Sequence, residues 1–78
     1  MNAREWLDEF AARLGAERLA ANDFASILDL AGAAARGSGE RVAAPAACWV
    51  AAVSGRSLDE ALAVAREIAA DPPPAEKP

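Results

Sequence analysis

The chain has 78 residues, a net charge of −4 and an isoelectric point near 4.6, so it is one small domain without the clustered basic face that nucleic acids require. The same acidity disfavours an anionic membrane surface, and the absence of histidine removes the commonest general base. Although 54% of the residues are hydrophobic, 23 of them are alanine and only 18 are large and apolar; such a core is thin, and a partner or a second copy is a frequent remedy.

The first helix is expected over Ala3 to Leu14. Ala3, Trp6, Leu7, Phe10 and Leu14 recur three or four apart and form one apolar stripe, which should face the core. Asn2 and Glu5 have the spacing of a capping box, and Gly15 suits a helix terminator. Glu9 and Arg13 stand four apart in the favourable order for a surface pair. Arg4, Glu5, Asp8 and Glu9 break up any apolar signal-peptide core. The single cysteine, Cys48, allows no internal disulfide. A cytoplasmic location is therefore the expectation.

A connection from Ala16 to Ala21 follows, anchored by Leu19. The second helix should be capped by Asn22 or Asp23 and run to about Arg36. Its inward face would hold Phe24, Ile27, Leu28, Leu30, Ala31, Ala34 and Ala35, with Asp29, Gly32 and Arg36 on the other side. Gly37-Ser38-Gly39 reads as a flexible break.

The segment from Val42 to Val53 carries no charge. Pro45 is suited to start a helix there, and Ser54-Gly55 to stop it. A helix that is apolar all round must lie inside a fold or against a partner. This one is too short for a bilayer, which needs about 20 residues. Ser57 and Glu60 form a second capping box, with Asp59 and Glu60 favouring the N-terminus of a fourth helix. That helix continues to about Ala70, with Leu58, Ala61, Leu62, Ala65, Ile68 and Ala69 facing inward. The proline-rich segment 71–78 reads as an extended, disordered tail; a polyproline ligand is the less economical reading. The expected fold is all-α, a compact bundle of four short helices in one domain, 1–70, with the apolar third helix at the centre.

The side chains for chemistry are sparse. Cys48 is the only strong nucleophile, and it sits among apolar neighbours with no activating base in sequence, so it reads as a packed core residue. With no histidine and one cysteine, no metal set is expected. No catalytic residue, cofactor or metal is assigned. Gly55-Arg56-Ser57-Leu58 resembles the serine-leucine of acyl and peptidyl carrier proteins. However, Arg56 stands where those carriers have aspartate, the serine precedes the last helix rather than the second, and capping accounts for Ser57. Nucleic-acid binding lacks a basic recognition helix: the fourth helix offers Arg66 against Asp59, Glu60 and Glu67.

Two readings stand for Trp6 and Trp49. Either both fill core space, or one is an exposed anchor for a partner, since tryptophan is enriched at binding hot spots. Trp49 is the better placed for the second role, because the third helix carries apolar residues on more sides than one small bundle buries. Ala46, Ala47, Ala51 and Ala52 would also let another backbone approach closely. Asp29 and Arg41 read as solvated charges, as a pair fixing the crossing of the second and third helices, or as part of a binding site. The candidate partner surface comprises Trp49, Val50, Arg41 and Asp29.

Ile27-Leu28-Asp29-Leu30-Ala31, then Arg41-Val42-Ala43-Ala44-Pro45, then an apolar helix ending at Gly55, together with Trp6-Leu7, form a further pattern. Over roughly Trp6 to Ile68 it resembles a small, all-helical actinobacterial domain of unknown function. That domain occurs alone or appended to molybdenum-cofactor (molybdopterin) guanylyltransferases. Seven of the eight basic residues are arginine, which with the alanine excess fits a GC-rich genome. The chain departs from the pattern in having Val42 where the family has proline, and Gly37-Ser38-Gly39 where it often has a histidine. The resemblance implies a helical accessory domain and a link to cofactor biosynthesis, and it supplies no catalytic residues. The expected function is a non-catalytic protein-interaction or accessory module, with another protein or a second copy as partner and neither nucleic acid nor membrane. The alternative is a small-molecule-binding or regulatory module with an apolar pocket near Trp49.

Overall fold

The chain is all-α. The computed structural model describes residues 1–70, and the expected tail, 71–78, lies outside the described residues. The four helices are α1 (Ala3–Leu14), α2 (Ala21–Ser38), α3 (Ala43–Val53) and α4 (Leu58–Ala70).

Local chemistry sets most of the boundaries. At the start of α1 the Asn2 side chain accepts from the Glu5 amide at 2.8 Å, and the Glu5 carboxylate accepts from the Asn2 amide at 2.9 Å, so two orphan donors are satisfied reciprocally. Ser57 and Glu60 repeat the device at α4: the Glu60 amide donates to Ser57 Oγ at 3.1 Å and the Ser57 amide donates to Glu60 Oε1 at 3.0 Å. Gly39 ends α2 at φ 78°, a left-handed conformation that glycine adopts without Cβ strain, and its amide returns to the Ala35 carbonyl.

Three boundaries differ from the sequence expectation. Helix α2 begins at Ala21 with Ala20 as an uncapped start, so Asn22 and Asp23 lie within the first turn rather than before it. There Asp23 favours the positive end of the helix dipole without acting as a cap. The helix also runs through Gly37 and Ser38, because the left-handed stop falls at Gly39. At α3 the helix starts two residues before Pro45. The proline occupies the first turn, where its missing N–H has no intrahelical acceptor to lose.

The layer order is the main correction. The middle element is α2, not α3. Along their lengths α3 and α4 both pack against α2, while they meet each other only marginally. Among the described residues, those buried are Leu30 and Ala33 of α2 and Leu62 of α4. The physical reason is the width of the apolar arc. Leu30, Ala33, Ala34 and Ile27 spread over enough of the α2 surface to receive two neighbours, and α2 is the longest helix at 18 residues. An α3 that is apolar on every side has no pattern to choose which side is covered. Its Ala43, Ala44, Ala47, Cys48 and Ala51 turn toward the bundle, and the opposite side stays bare.

Helix α1 stands apart, its backbone approaching none of the other three helices. Its expected core stripe is instead half-exposed or more at Trp6, Phe10 and Leu14. It is held through its other edge. Arg4 donates to the Leu19 carbonyl and lies over the Phe24 ring at 5.8 Å, and Asp8 pairs with Arg18 at 3.0 Å and with Arg4 at 3.6 Å. These contacts press α1 against its own connection and the first turn of α2. Leu19, the expected anchor, is half-buried there.

Candidate functional site

Because α3 and α4 diverge over α2, they leave a groove between them. Leu30 forms its floor, Ala47, Val50 and Ala51 one wall, and Ala61, Val64, Ala65 and Ile68 the other. Its volume is about 540 Å³, and its lining is almost wholly apolar. The charged residues among its lining are Arg56 and Glu60, and Ser54 lies beside them. Val50, Val64 and Ile68 are 61%, 47% and 62% exposed, so the walls present large side chains to solvent. The small alanines on both walls leave room for another helix to approach closely, as an interhelical distance of about 8–10 Å requires.

A smaller cavity of about 190 Å³ lies on the other side of Leu30, lined by Ile27, Cys48, Ala51, Ala52, Arg56 and Leu58. Cys48 is half-buried there rather than fully packed in a core. Among the described residues, no three of His, Cys, Asp and Glu gather as a metal-ligand set.

Of the four residues expected to form a partner surface, Val50 lines the groove. Trp49 is 70% exposed on the outer side of α3 with Val53, which is 60% exposed. The space-filling reading of both tryptophans is therefore overturned, since Trp6 is 52% exposed as well. Asp29 and Arg41 are exposed, and among the described residues no ion pair joins them. Arg41 contributes through its backbone instead, its carbonyl accepting from the Ala44 amide at 3.0 Å.

Sequence reasoning missed Val64 and the exposure of Ile68. A signal was present. The apolar residues of α4 cover a wider arc than one neighbour can bury: Leu58 and Leu62 turn to α2, while Ala61, Val64, Ala65 and Ile68 turn to the groove. The α1 stripe was visible in the sequence, but its orientation was not. Trp6 and Phe10 stack on each other with ring centroids 4.9 Å apart and 23° between planes, which makes one aromatic ridge.

The fold and site define an all-α domain of four helices bearing an open apolar groove and an unpartnered aromatic ridge. Comparison with known proteins gives no match to any family model, curated protein or solved structure. No helix among the described residues is long and apolar enough to cross a membrane.

Proposed function

We propose that the protein is a non-catalytic helical interaction module that acts through the α3–α4 face. The observation that carries this reading is the exposure of Trp49, Val50, Val53, Val64 and Ile68 on two adjoining helices. Exposed large apolar side chains grouped in this way mark interaction sites on small soluble domains. Tryptophan beside such a patch is the residue type most enriched among binding hot spots. A role as accessory to molybdenum-cofactor biosynthesis rests on the sequence resemblance alone. The test is capture from native lysate with the wild-type chain and a Val50→Asp/Val64→Asp variant as baits. The wild type should retain a partner in stoichiometric amount and the variant should lose it. Retention of the same proteins by both, or of none by the wild type in the absence of self-association, contradicts the reading.

The groove volume favours one alternative, a small-molecule-binding or regulatory module. A cavity of about 540 Å³ falls within the usual range for ligand pockets, roughly 300–1,000 Å³. A ligand that fills the groove raises the unfolding midpoint in a concentration-dependent way. A saturable rise with one member of a metabolite panel supports the alternative, and no rise with any member counts against it.

A further inference from the structure

Among the uncovered apolar features of the described residues, two match. One is the α1 ridge of Trp6, Phe10 and Leu14, spaced four residues apart along one side of a helix. The other is the groove between α3 and α4, whose α4 wall presents Ala61, Val64 and Ile68 at helical spacing. We infer that the occupant of the groove is the α1 helix of a second copy of this chain, exchanged reciprocally in a two-fold symmetric dimer. The inference rests on the interaction reading above and names its partner.

Three observations carry it. First, α1 is kept away from its own groove. Arg4, Asp8, Arg18 and the Leu19 carbonyl fasten its inner edge to residues 16–20, and Arg4 covers the Phe24 ring. The ridge points away from that anchorage, so the helix that completes a four-helix arrangement comes from another molecule.

Second, shape and charge agree. With α1 antiparallel to α4, Leu14, Phe10 and Trp6 come level with Ala61, Val64 and Ile68, the pattern of an amphipathic helix seated by residues on successive turns. In that register Arg13, which flanks the ridge, falls beside Glu60 at the groove edge.

Third, the area is sufficient. Trp6, Phe10, Leu14, Val50, Val64 and Ile68 are each about half-exposed or more. Covering them in both copies, with the intervening alanines, removes on the order of 1,200 Å² in total, the lower edge of a standard specific interface. A two-fold axis makes the contact occur twice and closes the assembly.

The test is sedimentation equilibrium of the full chain over a concentration series, with Phe10→Asp, Val64→Asp and their mixture. Both substituted positions are about half-exposed, and helical circular dichroism reports whether each variant stays folded. The wild type should approach twice the 8.0 kDa of the chain. Each variant alone should associate at least about tenfold more weakly. The equimolar mixture should stay as weak as either variant, because its heterodimer keeps one intact contact but sets both substitutions face to face in the other; recovery would overturn the pairing of Phe10 with Val64. A Trp49→Phe chain, with Trp6 as its only tryptophan, provides a readout that needs no disruptive variant: its emission should shift to shorter wavelength as concentration rises. A dimer that Phe10→Asp leaves intact overturns the assignment of α1 as occupant. A mass of 8.0 kDa at every concentration overturns the second copy altogether, and lysate capture by the groove then decides the interaction reading separately.

Discussion

Replacing Leu30 by alanine tests the placement of α2 at the centre. Leu30 is 3% exposed, sits on the middle helix and separates the groove from the smaller cavity. Removing three buried carbons forfeits transfer free energy and leaves a void, together about 2–5 kcal/mol for a buried leucine. The neighbouring spaces of about 540 and 190 Å³ already deprive this side chain of contacts on two sides, which places the loss toward the lower end, about 2–3 kcal/mol. For a chain of this size total stability is on the order of 4–12 kcal/mol, so the variant loses a large share of it. Leu28, two residues before Leu30 and so on nearly the opposite side of the same helix, is 57% exposed, and Leu28→Ala should lose less than about 1 kcal/mol. Trp49→Ala, at 70% exposure, should also lose less than about 1 kcal/mol despite removing far more atoms. Urea unfolding followed by circular dichroism at one fixed low protein concentration gives all three values. The order Leu30 well above Leu28 and Trp49 supports the packing described. A loss on Trp49→Ala that equals or exceeds that on Leu30→Ala refutes it and returns α3 to the centre.

The remaining predictions concern helix chemistry and the anchorage of α1. Gly32→Ala should stabilise the protein by about 1 kcal/mol, because Gly32 is mid-helix at an ordinary backbone conformation. The new Cβ would meet only the Arg36 guanidinium at 2.9 Å, and that flexible end can swing into solvent; a loss of stability in urea unfolding would show that Arg36 cannot move. Ser57→Ala should cost about 1 kcal/mol by freeing the Glu60 amide, and Ser57→Asp should recover most of it as an alternative cap; equal stability of all three chains would remove the capping box from the account. Asp8→Ala should speed tryptic cleavage after Arg18 while changing global stability by less than about 1 kcal/mol, since the pair is partly solvated. Unchanged cleavage would mean that the connection is held by Leu19 packing alone.

Much of the local structure was legible in the sequence because it depends on neighbours along the chain. The Asn2–Glu5 and Ser57–Glu60 boxes, the Glu9–Arg13 pair at 2.7 Å and the glycine stops at Gly15 and Gly55 all appear where residue spacing places them. The arrangement of the helices was less legible. Periodicity states that α1 has an apolar stripe but not that Arg4 and Asp8 will dock the adjacent edge and leave the stripe bare. An all-apolar α3 gives no angular preference, so sequence alone cannot choose between burying Trp49 and exposing it. The groove is a property of how far α3 and α4 spread over Leu30. That depends on alanine packing against α2 and leaves no mark at any single position. Trp49 and Val50 are exposed, and the suggested Asp29–Arg41 pairing is absent among the described residues.

The outward placement of α3 underlies both the groove and the interaction reading, and acrylamide quenching of Trp49 in a Trp6→Phe chain at low concentration tests it most directly. Trp49 lies outside the groove lining, so the measurement is independent of what fills the groove. At 70% exposure its quenching should approach that of free tryptophan, with emission at the long-wavelength position of a solvated indole. Weak quenching together with short-wavelength emission in a monomeric chain would place Trp49 inside the fold and contradict the account.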